Sequence, residues 1–184
     1  MNGTVRLTSK RLVFRKETIE DIPTLFKELG CNPEITRYTG WNPYTTMELT
    51  AKKVQQDIAN YNIPGCYSWI IEFQNNIIGT IGAYDYHAAD SSIEIGYSIF
   101  QSSWSKGFAS EAIATVVEYL VKSEKIHTIN AWCHSDNSAS IKVLGKGGFK
   151  IIGIEKQAIK NCDASLSDRV ILQLVEDESE SSGF

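Results

Sequence analysis

The chain has 184 residues, 42% hydrophobic and 22% charged, with a formal net charge of −4. This is the length and composition of one ordinary globular domain with room for a sizeable core. No apolar stretch approaches the roughly 20 residues of a membrane span, and the polar start, Met1 to Lys10, lacks the apolar centre of a signal peptide. A soluble, cytoplasmic protein with no membrane partner is therefore expected. Glu176, Asp177, Glu178 and Glu180 crowd the last nine residues, and without them the body holds 18 acids against 18 bases. A neutral body lacks the basic surface that nucleic acid requires. One domain over 1–175 and a disordered acidic tail over 176–184 are expected. Cys31, Cys66, Cys133 and Cys162 form no C-x-x-C pair and read as free thiols. Cys133 adjoins His134, but no second ligand pair lies nearby, so no metal site is expected.

Arg11 to Arg15 alternates, with Leu12 and Phe14 apolar, which fits a half-buried first strand. Thr18 offers an N-cap, and Ile22, Leu25, Phe26 and Leu29 recur at helical spacing up to Gly30. Cys31 to Tyr44, with Pro33, Pro43, Tyr38, Gly40 and Trp41, reads as a loop. Thr45-Thr46-Met47-Glu48 supplies a capping box for a helix whose apolar face is Met47, Ala51, Val54, Ile58 and Tyr61. Strands follow over Cys66 to Phe73, Ile77 to Tyr86 and Ser92 to Phe100, the first two joined by a polar turn at Gln74-Asn75-Asn76. Apolar residues at 109, 112, 113, 116, 117 and 120 define the best-formed helix. Ile126 to Cys133 is a buried strand, Ser138 to Lys146 a short helix and Phe149 to Glu155 a strand. A polar loop, Lys156 to Ser167, and a last strand, Asp168 to Val175, complete an α+β sandwich around a mixed sheet.

The junction between the Ser92 strand and the long helix carries chemistry. Trp104-Ser105-Lys106-Gly107-Phe108-Ala109-Ser110-Glu111 runs from strand to helix through a glycine. Helix-start amides lack intrahelical partners and sit at the positive end of the helix dipole, so the loop is suited to a phosphate. About thirty residues on stands Asn137-Ser138-Ala139-Ser140, again at a strand-to-helix junction, followed by Lys146-Gly147-Gly148-Phe149.

Together with Thr8-x-x-Arg11-Leu12-x-x-Arg15 and Glu94-Ile95-Gly96-Tyr97, these four motifs resemble the GNAT superfamily of acetyl-CoA-dependent N-acetyltransferases. Within it they look like the Rim-type subgroup, which acetylates ribosomal-protein N-termini. The resemblance, spanning roughly residues 8 to 175, implies a mixed, mostly antiparallel sheet with flanking helices, splayed between its fourth and fifth strands, here Ser92 to Phe100 and Ile126 to Cys133. Acetyl-CoA is the implied co-substrate, lying in that splay without any metal. Its pantetheine is expected along the backbone of Tyr97 and Ile99, and its diphosphate on the loop, Trp104, Lys106, Gly107, Phe108, Ala109 and Ser110. Asn137 matches an asparagine that bonds the pantetheine, and Ser140 a hydroxyl near the sulfur. The chain departs from the wider family at Leu144, where many members carry a tyrosine acid, and at Trp104 and Ser105, which replace Gln or Arg and a glycine.

Acetyl transfer needs a neutral amine and a proton for the leaving thiolate. Glu94, flanked by Ile93 and Ile95 that face the other way, is the candidate base, acting through water, and Ser140 the candidate acid. A β-strand amide would polarise the carbonyl. Plainer readings stand beside these: Glu94 as a solvated strand residue, Asn137 as a helix cap, Tyr38, Trp41, Trp69 and Tyr84 as core rather than acceptor pocket, and His87, His127 and His134 as incidental. The function expected is transfer of an acetyl group to a primary amine on a protein N-terminus or a small molecule. Its alternatives are an acyltransferase for an antibiotic-like or polyamine substrate, and a non-catalytic CoA-binding module. The acceptor loops, Cys31 to Tyr44 and Glu155 to Ser167, carry no motif, and Lys156 and Lys160 weigh slightly against a strongly cationic acceptor. A monomer or homodimer is expected.

Overall fold

The structure is a computed structural model that describes residues 1–39 and 42–175. Trp41 and the acidic tail expected over 176–184 lie outside the described residues. Eight strands form one sheet in the order β1-β2-β3-β4-β5-β6-β8-β7. They are β1 (Leu7–Thr8), β2 (Leu12–Arg15), β3 (Tyr67–Phe73), β4 (Asn76–His87), β5 (Ser92–Ile99), β6 (Thr128–His134), β7 (Lys150–Lys160) and β8 (Leu166–Val175). Every neighbouring pair is antiparallel except β5 and β6. The helices are α1 (Ile22–Leu25), α2 (Pro33–Thr36), α3 (Met47–Asn60), α4 (Phe108–Lys122) and α5 (Ser138–Lys146). No helix among the described residues is long and apolar enough to cross a membrane.

Period-2 patterning sorts the sheet into two faces. One face buries Phe14, Trp69, Ile71, Ile81, Ile93 and Ile95 against the Ile113, Val116 and Leu120 stripe of α4. The other is thinner, with Leu25 of α1 and Val54 of α3 on Ile70 and Phe100. The β3–β4 hairpin turns at Gln74 (φ 51°) and Asn75 (φ 64°), both left-handed, as a two-residue turn matched to strand twist requires.

Four local expectations are corrected. The helix expected from Thr18 to Gly30 is broken into a 3-10 turn (Ile19–Asp21), α1 and a π segment (Phe26–Gly30), with Pro23 at the start of α1. The loop from Cys31 contains α2, because Asn32 caps it by accepting from Glu34 N–H at 3.0 Å and Pro33 suits a first turn. The capping box at α3 does not form: Thr46 is the N-cap but makes no side-chain bond to the backbone. The Thr46 hydroxyl, close to the Glu48 carboxylate, holds it below the ordinary glutamate range. Met47 is exposed, and the buried face is Thr50 and Val54. Finally, the polar loop expected over 156–167 is largely strand, since β7 continues to Lys160 and β8 begins at Leu166. β7 is the sheet's outer edge and mostly exposed, so it needs no apolar alternation, and a bulge between Glu155 and Ile159 with Gln157 at φ 54° breaks the period further.

Candidate active site

β5 and β6 pair over only three positions, Ser92 to Glu94 against Thr128 to Asn130, and then separate. The gap between them opens into a cleft of about 1290 Å³. Register decides which backbone groups face it. Phe100 N–H donates to Ile78 O at 2.8 Å, so the even-numbered residues of β5 bond β4. Tyr97 and Ile99 therefore direct their amides toward the gap. The Trp104 indole takes the Ile99 carbonyl at 2.7 Å, which anchors this half-exposed side chain at the loop start and leaves the Ile99 N–H.

The loop is held from the opposite edge of the fold. The Arg11 guanidinium donates to Lys106 O at 3.0 Å and to the Glu111 carboxylate at 2.6 Å, and stacks 4.6 Å from the Phe108 ring centroid. Glu111 also accepts from Ser9 Oγ at 2.7 Å and Arg11 N–H at 2.8 Å. Three hydrogen bonds to one first-turn carboxylate pin the start of α4 to the β1–β2 turn, so the Arg11 motif near the N-terminus is a brace for the loop. Arg15, the second arginine of that motif, pairs with Asp21 at 2.8 Å and Glu72 at 2.7 Å. Gly107 sits at φ 78° and Ser105 at φ 61°, which explains why a glycine is usual at either place. The amides of Phe108, Ala109 and Ser110 have no intrahelical partner by position, and all three residues line the cleft. The Lys106 ammonium is folded back on Ser102 O at 2.8 Å.

Across the gap, Asn137 caps α5, its Oδ1 accepting from Ser140 N–H at 3.1 Å. The cap uses only the oxygen end of the amide, so the NH₂ end is left for a ligand. The Ser140 hydroxyl stands 2.9 Å from the Tyr97 hydroxyl and 3.3 Å from Cys133 Sγ, which donates to it. Burial pushes Tyr97 up to about 12, partly offset by the Ser140 hydroxyl, and raises the Cys133 thiol in the same way. The Tyr97 side chain was missed in the sequence, where only its backbone was assigned. Its hydroxyl reaches Ser140, while Leu144 is buried. Cys133 and His134, adjacent on β6, point to opposite faces of the sheet. His134 is 4% exposed, accepts Asp136 N–H at Nδ1 (3.1 Å) and donates from Nε2 to Asn161 Oδ1 (3.1 Å), so both ring nitrogens are engaged.

Glu94 lies at the foot of the splay, where the Trp132 indole donates to Oε1 at 3.1 Å. Burial raises its carboxyl above the ordinary range, opposed by the Tyr84 hydroxyl and the Trp132 indole. Tyr84, Gly96 and Trp132 line the cleft, whereas Glu94 does not and meets it through its bond from Trp132. A Cβ on Gly96 would lie 2.8 Å from the Tyr84 hydroxyl, so the glycine makes room for the tyrosine beside Glu94. Of the other candidate pocket aromatics, Tyr38 lines the cleft, while Trp69 is fully buried in the core with its indole on Val5 O at 2.7 Å.

Residues 11–150 match the family model described as an acetyltransferase (GNAT) domain. The chain is 34% identical over 153 residues to the uncharacterized N-acetyltransferase YoaA of Bacillus subtilis (strain 168), covering 82% of this chain and 86% of that protein. It is 30% identical over 150 residues to the uncharacterized N-acetyltransferase p20 of Bacillus licheniformis, covering 80% and 84%. Among solved structures, the fold is similar to RimL, a ribosomal L7/L12 alpha-N-protein acetyltransferase in complex with coenzyme A, with TM-score 0.86, 22% identity, and 94% and 99% of the two chains covered. A splayed sheet with a phosphate-suited loop, matched along most of its length by a single family, establishes that this chain belongs to the GNAT acetyltransferases and is an acyltransferase enzyme.

Proposed function

We propose that the protein transfers the acetyl group of acetyl-CoA to a primary amine by direct attack of the amine on the thioester. The observation that carries this reading is the gap between β5 and β6, with outward amides on one wall and Asn137 to Ser140 on the other. The diphosphate rests on the amides of Lys106 to Ser110, with Lys142 of α5, which also lines the cleft, within reach of the nucleotide. The pantetheine runs beside Tyr97 and the Ile99 N–H and takes the NH₂ end of Asn137. An outward amide of β5 polarises the acetyl carbonyl.

The proton inventory follows from the side chains. Glu94 accepts the amine proton through water, since it does not itself line the cleft. The nitrogen then bonds the thioester carbon, the carbon–sulfur bond breaks and the nitrogen sheds its surplus proton to water in the cleft, while the thiolate takes a proton from Ser140, which the Tyr97 hydroxyl resupplies and water restores to Tyr97. Within the family the reading is of a Rim-type enzyme working in the cytoplasm, supported by the four motifs and by the likeness of fold to RimL; its acceptors are a protein N-terminus or a small amine. Acetyl-CoA with a panel of N-terminal peptides and small amines, read by free-thiol release, tests this. Amine-dependent release that falls at least tenfold in Glu94→Gln is expected. Release that no amine accelerates would overturn it.

A further inference from the structure

The cleft extends past the splay onto the face covered by α3, and there it holds a carboxylate that forms no ion pair among the described residues, the nearby Lys53 charge opposing the effect of burial less than the Ser68 hydroxyl does. Glu17, just beyond β2, is 6% exposed and lines the cleft. Its carboxylate accepts from the Ser68 hydroxyl, and its backbone N–H donates to the Tyr61 hydroxyl at 2.6 Å. Among the described residues, no lysine, arginine or histidine forms an ion pair with it. Lys53 of α3, on the same wall, is engaged with Asp57 and largely exposed. Burying a carboxylate without a counter-charge is costly, so a buried one facing a cavity calls for a partner from outside.

A second polar group on this wall lacks a partner altogether. The Thr50 hydroxyl, buried on α3 and lining the cleft, has no hydrogen-bond partner. Ser68 pairs with Gly82 and Gly82 with Gly96, so the floor between Glu17 and the splay carries one hydroxyl and two glycines, with no side chain over Gly82 and the Tyr84 hydroxyl over Gly96. Two strand spacings, roughly 10 Å, separate Ser68 from Gly96 at the edge of the gap. Lys156 and Lys160, which weighed against a cationic acceptor, do not line the cleft, and Lys156 is paired with Asp168 at 2.8 Å.

We infer that Glu17 is the distal anchor for a linear di- or polyamine acceptor, binding a second ammonium roughly 10 Å from the amine that meets the thioester. The inference rests on the acetyl-transfer reading for the reacting end, but the anchor itself is a binding site and can be measured apart from turnover. A peptide N-terminus offers one amine followed by neutral backbone, and leaves Glu17 uncompensated.

The test uses the full chain with saturating acetyl-CoA, comparing octanediamine with octylamine, and spermidine with a neutral N-terminal peptide. In the wild type the diamine KM is expected about tenfold below that of the monoamine, the order of effect of one partly desolvated charge pair. In Glu17→Gln, which keeps the bond from Ser68, that preference disappears through KM rather than kcat, with the melting temperature confirming the fold. Equal KM values for the two amines in the wild type, a preference that survives Glu17→Gln, or a peptide favoured over both amines would overturn the anchor. Calorimetric titration of spermidine without acetyl-CoA separates the two readings. If no amine is acetylated but spermidine binds about tenfold more weakly to Glu17→Gln, the transfer reading fails and the anchor stands; equal binding, or none, removes the anchor alone.

Discussion

Replacing Gly107 with glutamate strikes the loop twice, and the two effects can be separated. Gly107 holds φ 78°, where any side chain costs about 1–2 kcal/mol. Space is not the obstacle, because a Cβ there would meet only the Arg11 guanidinium at 3.5 Å. Gly107→Ala therefore loses about 1–2 kcal/mol of stability, a fall in Tm of roughly 2–8 °C for a chain of this length. Gly107→Glu adds a carboxylate beside the site assigned to the diphosphate. Two unit charges 4 Å apart repel by about 4 kcal/mol at an effective dielectric of 20, and solvent at this exposed loop roughly halves that. About 2 kcal/mol corresponds to a roughly 30-fold weaker Kd for CoA. Calorimetric titration of CoA into the wild type and both variants makes the comparison. The expected pattern is a similar fall in Tm for both but the large affinity loss for glutamate alone, shrinking as salt rises. Equal CoA affinity in Gly107→Glu and the wild type would refute the placement of the diphosphate on this loop.

Ser140→Ala should lower kcat more than CoA affinity, and Tyr97→Phe should do the same to a smaller extent while leaving Ser140 in place; steady-state kinetics beside CoA titration distinguishes this from a shared loss of binding. The rising limb of kcat/KM against pH should lie above the ordinary glutamate range, because burial raises Glu94 and only its ionised form accepts a proton, and this limb should vanish in Glu94→Gln. Burial likewise raises Glu17, with the Ser68 hydroxyl opposing, so the folded state holds this proton more tightly than the unfolded chain. Stability from that group is complete below about pH 4, near the unfolded value, and is lost as pH rises through the folded value. Glu17→Gln should accordingly gain Tm relative to the wild type at neutral pH but not near pH 4, measured by thermal melts. Gly96→Ala should cost about 1–3 kcal/mol, since the new methyl group meets the Tyr84 hydroxyl at 2.8 Å, and a Tm within a degree of wild type would contradict that crowding.

Local signals carried much of this protein. The stripe of Ala112, Ile113, Val116 and Leu120 specified α4, the Gln74-Asn75 turn specified the β3–β4 hairpin, and Asn137 specified the start of α5, because each depends on residues within a turn or two of one another. The same locality marked out the loop before α4 and the Asn137 to Ser140 junction, and both line one cleft. Where the local signal was weak or ambiguous, the reading went astray. β7 sits at an edge and is exposed on both faces, so Lys156 to Lys160 looked like loop; Asn32-Pro33 was read as a breaker although the pair also starts α2.

Tertiary structure alone decided the contacts between residues far apart in the chain. Nothing in the sequence joins Arg11 to Glu111, Tyr97 to Ser140, or Glu17 to Ser68, for these meet only when strands pair in one register and one sheet face is covered by helices. Register also turned the amides of Tyr97 and Ile99 toward the gap and brought Glu94 to the Trp132 indole, off the cleft lining. The sequence by itself determined the strongly patterned elements, the family and the loop that suits a phosphate, since these are properties of short-range pattern. Packing determined which side chains are buried, opposed and left without a partner, because a group's charge acquires its energetic meaning from neighbours that the chain brings together only on folding.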